Sequence, residues 1–288
     1  MTRIISRRYT KCFYATILIF VVIVTYRLMI QKEARTPKLP FLDKKFRSQD
    51  LNDNGCKPKT VWFSKTPMKK TALASYPGSG TRLLRHVLEL TTGVLTGSTY
   101  CDKILLQDFE GECTDDETVL TIKTHAWFDK LKYEKAVILI RSPYKSYASL
   151  FSHQNGQDIG RGASKVDFDL KFKEFLGNLF DMWRYFNEEW MKDFVGPKYI
   201  IFFDNLVQNP ESEIRKLVAF LEFEYTEKDL MCAAKHLKAG IRKKEYEDID
   251  VKQYFTLEQL SKTEEYIKII EKMATEINNI PHHIDRDL

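Results

Sequence analysis

The sequence lacks the spacings that usually announce bound zinc. It has no C-x-x-C and no Cys/His pattern of ligand type. It has no G-x-x-x-x-G-K-S/T run, which argues against a Walker-type nucleotide loop. It has no N-x-S/T glycosylation acceptor, an absence that neither supports nor excludes a lumenal location. No internal repeat is found. Positive charge is scarce where a nucleic-acid binder would need it. The formal net charge is +5, but residues 1–11 carry +4 and residues 27–47 carry +5, so residues 48–288 sum to −4. The basic balance belongs to the two flanks of an apolar run, and no nucleic-acid partner is expected.

That run is the first feature present. Cys12–Tyr26 is uncharged and mostly apolar, and with Arg27 snorkelling it extends through Ile30. About 19 residues are enough to span a bilayer. No small-x-small cleavage site follows, so the reading is an uncleaved signal anchor at 12–30 behind a tail at 1–11. Lys and Arg are dense on both sides, so the positive-inside rule does not decide orientation. Residues 31–60 are rich in Lys, Asp, Asn and Pro without periodicity and read as a stem. One globular domain is expected over 61–288. Four cysteines fall after the anchor, which allows two disulfides. Cys101 and Cys113 are close in sequence and flank an acidic loop, so they are the favoured pair. Cys56–Cys232 follows only by elimination, with a buried helix thiol at Cys232 as the alternative.

Apolar patterning lays out the domain. Thr71–Ser75 reads as a short buried strand and Thr81 to about Leu90 as a helix. Val119–Lys123 and Ala136–Ile140 read as strands, the second fully buried. Ser142-Pro143 opens a helix to about His153. One long helix is expected over Phe168–Phe194, with its aromatic residues at three- and four-residue spacings facing the core. Tyr199–Phe203 reads as a strand, and helices are expected from Pro210 to Leu221, Thr226 to Leu237 and Thr256 to Asn278. Alternating strands and helices predict an α/β fold with a parallel sheet and helices on both faces. Ligands in such sheets sit at the carboxyl ends of the strands.

Three segments follow predicted strands directly. The first is Tyr76-Pro77-Gly78-Ser79-Gly80-Thr81-Arg82-Leu83. Strand, glycine loop and helix make a phosphate cradle, because glycines admit backbone N–H groups to an anion and the helix end adds positive charge. Ser79 and Thr81 add hydroxyls and Arg82 a cation. The second is Lys123-Thr124-His125, where His125 can act as general base and Lys123 can stabilise charge on a transferring group. The third is Arg141-Ser142-Pro143 through Ser149, with a guanidinium suited to phosphate. Each has a plainer reading: a ligand-free turn, a structural histidine, and a surface ion pair with a helix-surface hydroxyl.

Taken together, these segments resemble the PAPS-dependent sulfotransferases, whose loop is written Y-P-K-S-G-T-T-W. Here the family's lysine is Gly78 and its tryptophan is Leu83. Lys123-Thr124-His125 resembles the family's K-T-H, whose histidine deprotonates the acceptor. Arg141 and Ser149 match R-x-P-x-x-x-x-x-S, which holds the 3′-phosphate. Tyr199-Ile-Ile-Phe-Phe-Asp-Asn-Leu is similar to the family's strand followed by Y-E-D-L, then Asn-Pro and a helix. Lys238–Lys244 looks like a reduced R-K-G-x-x-G loop, which implies Arg242 as a further phosphate ligand. The resemblance covers about residues 70–275 and, through Ala-Ser-Tyr-Pro-Gly-Ser-Gly-Thr at 74–81 and Thr-Gly-Ser-Thr-Tyr-Cys-Asp at 96–102, is strongest toward the WSC-domain-containing sulfotransferases, although no WSC domain is found here. It implies a P-loop-like sulfotransferase fold behind a single transmembrane helix. It also implies 3′-phosphoadenosine 5′-phosphosulfate (PAPS) as co-substrate without a metal, and a glycan or glycoconjugate hydroxyl as acceptor, with sialic acid suggested by that subfamily. The location implied is the Golgi membrane in type II orientation, with a lumenal catalytic domain and disulfides permitted. The implied roles are Pro77, Gly78, Ser79, Gly80, Thr81, Arg82, Arg141, Ser149 and Arg242 on the donor, and His125, Lys123 and Arg82 in catalysis. Arg85 is a further candidate for the missing lysine's charge. A homodimer is left open. Two rivals stay in view: an inactive member of the fold acting as a binding module, and an ATP-dependent phosphotransferase.

Overall fold

A computed structural model of the chain describes residues 56, 59–127, 132–156, 162–240, 248–279, 284 and 286. The expected membrane segment at 12–30, most of the stem and Arg242 lie outside the described residues. Among those described, no helix is long and apolar enough to cross a membrane.

The centre of the fold is β1, Thr71–Ser75, buried at every residue. It pairs in parallel with β3, Ile122–Thr124, on one side and with β4, Lys135–Ile140, on the other. The sheet is completed by β2, Gly97–Ser98, outside β3 and by β5, Lys198–Phe202, outside β4, all parallel in the order β2-β3-β1-β4-β5. The connection from β1 runs toward β2 and that from β4 toward β5, on opposite sides, so the crevice for a ligand opens beyond the carboxyl ends of β1 and β4.

Period-two alternation divides the core. Ala72, Ala74, Ala136, Ile138, Ile140, Ile200 and Phe202 face one layer of aromatic side chains. Leu73, Val137, Leu139 and Ile201 face a layer rich in leucine and valine. The leucine side is covered by α1, Thr81–Thr92, α6, Pro210–Phe220, and α7, Glu227–Gly240. The aromatic side is covered by α2, Pro143–Asn155, α3, Lys165–Leu179, α4, Met182–Asp193, and α8, Leu257–Asn278. A short α5, Phe203–Gln208, follows β5 at once. Two helix starts carry reciprocal caps. Thr256 forms a capping box with Gln259 at the start of α8, and Ser164 does so with Asp167 at α3.

Several expectations change in detail. The single helix expected over 168–194 is two, because the chain breaks at Phe180-Asp181. There the Phe180 carbonyl accepts from the Tyr147 hydroxyl, and the Asp181 carboxylate accepts from the Tyr266 hydroxyl at 2.6 Å. These bonds replace helix continuity while the apolar period runs on through both halves. The third strand begins at Ile122, not Val119, since Leu120 and Thr121 instead bond to the chain entering β2: Leu120 N–H donates to Leu95 at 2.9 Å and Gly97 N–H to Thr121 at 2.7 Å. Helix α1 ends on Gly93, which takes the left-handed conformation at φ 75.

Both expected disulfides are present, Cys101–Cys113 and Cys56–Cys232. The second ties the chain ahead of the domain to α7. Donor atoms of Cys56, Cys232 and His236 lie within 4.8 Å of one another, but the two sulfurs are joined, so they offer no thiolate pair to a metal.

Candidate active site

The loop between β1 and α1 is shaped by two glycines. Gly78 has φ +85 and Gly80 φ +96, a region that side chains disfavour. A Cβ on Gly78 would lie 2.4 Å from the Ser146 carbonyl oxygen and 3.2 Å from the Leu150 nitrogen. The turn of α2 that carries Ser149 therefore lies directly against the loop. A Cβ on Gly80 would lie 2.3 Å from the Phe203 ring. Within the loop, Ser79 N–H donates to the Tyr76 carbonyl at 3.2 Å, and Pro77 sits half-buried ahead of Gly78. Thr81 is buried, its hydroxyl bonded to that of Ser75.

Arg141, immediately after β4, reaches across to this loop. Its Nη1 donates to the Gly78 carbonyl at 3.1 Å, and its guanidinium lies 4.6 Å from the centre of the Phe203 ring. Its own carbonyl is fixed by the Trp183 indole N–H at 3.0 Å. Phe203 thus fills the space between Gly80 and Arg141. Three buried polar atoms here, Ser79 Oγ, Arg141 Nε and Ser142 Oγ, have no hydrogen-bond partner among the described residues. Buried donors left unmatched are costly. Two hydroxyls and a guanidinium beside a glycine turn form a donor set suited to phosphate or sulfate oxygens.

His125 follows β3 at the other side of β1. Its Nδ1 lies 2.7 Å from the Ser75 carbonyl oxygen, an atom that can only accept. Nδ1 must therefore carry the proton, which leaves the Nε2 lone pair available. The residue as a whole is half-buried. Desolvation, then the positive charges of Lys123 and Arg85, push its pKa down to about 3, against the bond to Ser75. The neutral imidazole is thus the form present near pH 7.

The candidate cations divide. Arg82, half exposed, forms an ion pair with Asp108. Lys123 lies with its ammonium 5.5 Å from the Tyr100 ring centre. Arg85 is sealed: its Nε donates to Thr96 Oγ1 at 2.8 Å, Nη2 to the Thr96 carbonyl at 2.9 Å and Nη1 to Glu112, while its guanidinium packs 3.9 Å from the Phe109 ring centre. It shapes the field at His125 from within the core and has no face toward a donor. Removing it would leave the buried Glu112 without its counter-ion. Arg85→Ala is expected to cost about 3–5 kcal/mol of folding free energy, read from denaturant midpoints.

The structure therefore brings Gly78, Ser79, Gly80, Thr81, Arg141 and the Ser149 turn together beside His125. Sequence reasoning missed Ser75, Phe203 and Tyr100. Ser75 could have been found as the last residue of a strand at the ligand edge. Phe203 reads in sequence only as the end of a strand, and nothing local to Tyr100 points to a contact with His125.

The sulfotransferase domain family matches residues 68–276. A WSCD family member of Drosophila melanogaster is 36% identical over 180 residues, and one of Aedes aegypti is also 36% identical over 180 residues; each alignment covers 60% of this chain and 57% of the relative. The chain thus spans little more than half the length of these relatives. Among solved structures, mouse sulfotransferase SULT7A1 complexed with PAP is similar at a TM-score of 0.50 with 17% identity, covering 75% of this chain and 89% of that one. At that identity the likeness concerns the fold.

Proposed function

The chain belongs to the sulfotransferase domain family, and from that premise we propose that it is a membrane-anchored sulfotransferase using PAPS as donor and a glycan or glycoconjugate hydroxyl as acceptor. The observation that carries the proposal is the set of buried polar atoms at Ser79, Arg141 and Ser142 that have no partner among the described residues, beside two positive-φ glycines. PAPS, when bound, supplies a sulfuryl group for transfer to a hydroxyl. Residues Pro77 to Arg82 would hold the 5′-phosphosulfate, with backbone N–H groups of the loop and the first turn of α1 joined by the Ser79 and Thr81 hydroxyls. Arg141 and Ser149 would hold the 3′-phosphate, with Arg242 assigned by motif alone. His125 Nε2 would take the acceptor's proton. With Arg85 committed to the core, Lys123 and Arg82 are the cations left to balance negative charge on the departing nucleotide. Hydrogen bonds and fixed cations suffice for this chemistry. SULT7A1 was solved as a complex with PAP, which supports the choice of donor.

The apolar run at 12–30 supports a signal anchor, and the resemblance read from the sequence motifs favours a type II Golgi protein with the domain over 61–288 in the lumen. Sialic acid is the acceptor suggested by the motif resemblance to the WSC-domain-containing sulfotransferases. Transfer of sulfate from PAPS to sialylated and neutral glycans by the full chain, unaffected by EDTA, tests the reading; transfer that requires magnesium and ATP would overturn it. A second reading, a donor-binding protein without turnover, draws on Gly78 in place of the family's lysine and on Arg82 engaged with Asp108. Donor binding without transfer across the same acceptors would favour it.

A further inference from the structure

Tyr100 stands between β2 and Cys101 and touches the candidate base in two ways. Its ring lies near-parallel to the His125 ring, at 25° and 5.7 Å between centres. Its hydroxyl accepts the His125 backbone N–H at 3.0 Å. The same ring faces the Lys123 ammonium at 5.5 Å. Tyr100 is itself held in place. Its N–H donates to Ser98 Oγ at 3.1 Å, its carbonyl accepts from Cys113 N–H at 3.1 Å, and the Cys101–Cys113 disulfide closes the loop beside it.

That loop also grips the helix that follows the glycine turn. Asp108 pairs with Arg82, Glu112 pairs with Arg85, and Phe109 packs between Arg85 and the His86 ring. One disulfide-closed segment therefore fixes Tyr100 relative to both β3 and α1. The near-parallel ring lies alongside the imidazole. The hydroxyl contact restrains the backbone at the residue that carries the imidazole. With the Ser75 carbonyl on Nδ1, these contacts leave the ring little freedom to rotate or change tautomer.

We propose that Tyr100 is a positioning residue for His125, holding the imidazole against Ser75 so that Nε2 alone presents its lone pair to the acceptor hydroxyl. The proposal rests on the role assigned to His125, and its test separates the two. The full chain, its histidines labelled with 15N, is examined by NMR as wild type, Tyr100→Phe and Tyr100→Leu, and each is assayed for sulfate transfer from PAPS.

The expected results are these: wild type shows a single Nδ1–H tautomer at His125. Tyr100→Leu shows mixed tautomers and a titration moved back toward the ordinary histidine range, with kcat down about ten- to a hundredfold and the donor KM unchanged. Tyr100→Phe keeps the tautomer, but its His125 amide proton exchanges about five- to tenfold faster for want of the acceptor, and kcat falls several-fold. Should Tyr100→Leu not fold, Tyr100→Phe decides: an unchanged exchange rate at the His125 amide overturns the proposal. So does a folded Tyr100→Leu with wild-type tautomer and kcat. If Tyr100→Leu frees the imidazole while no form of the chain transfers sulfate, the positioning role stands and the assignment of His125 as base falls.

Discussion

His125→Ala is expected to remove sulfate transfer, lowering kcat about 10²–10⁴-fold, while leaving the affinity for the desulfated donor within twofold. The expectation follows from how the ring is held. Nδ1 is committed to the Ser75 carbonyl, so the one nitrogen able to accept a proton is Nε2. Arg141 and Ser149, assigned to the 3′-phosphate, follow β4 on the other side of β1 from His125. A pH prediction follows from the same burial. With the free protein's pKa near 3, kcat/KM has no acid limb near 6.5 due to this residue. In the donor complex the added negative charge opposes Lys123 and Arg85, so the pKa read from kcat is higher than that read from kcat/KM. Stability moves with pH in a definite sense. Between about 3 and 6.5 the unfolded chain binds a proton at His125 that the folded chain refuses. The contribution of neutral His125 is complete above 6.5 and is lost as pH falls toward 3. Equal activity of His125→Ala and wild type would remove the base from the account.

The second large effect concerns the absent lysine. Gly78→Lys would copy the family's loop, yet it is expected to abolish donor binding and to cost about 2–5 kcal/mol of stability. At φ +85 a side chain costs roughly 1–2 kcal/mol. Its Cβ would also press on the Ser146 carbonyl, backbone that cannot move without unwinding α2, which adds about 1–3 kcal/mol. The glycine is thus a feature of how this loop meets this helix, and the missing charge has to come from elsewhere. Denaturant midpoints and donor titrations check this. A Gly78→Lys protein as stable as wild type and faster in transfer would show that the loop can adopt a different backbone.

Much of the fold was legible because its central elements are locally consistent. Ala136–Ile140 is an unbroken apolar run and forms a strand; Pro143 is a good first helical residue and opens α2. The two glycines marked the loop because no other residue takes its backbone freely. What escaped reading is non-local. Gly97-Ser98 is a strand only because β3 lies beside it. The break at Phe180-Asp181 exists because Tyr147 and Tyr266, distant in sequence, bond there. Tyr100 sits in a polar, cysteine-bearing stretch, and its contact with His125 crosses 25 residues. Arg85 reads in sequence as a spare cation beside the loop, but α1 turns it away from the crevice and into the core, where Glu112 meets it. Helical phase could have warned of that, since Leu84 and Leu88 flank it on the buried side.

The most direct test of the donor site is calorimetric binding of 3′-phosphoadenosine 5′-phosphate to the full chain, with adenosine 5′-phosphate as control and Arg141→Ala as the site variant. Micromolar binding that needs the 3′-phosphate and is lost in Arg141→Ala is the expected result. A folded chain that binds neither nucleotide, or binds both equally with and without Arg141, would contradict it.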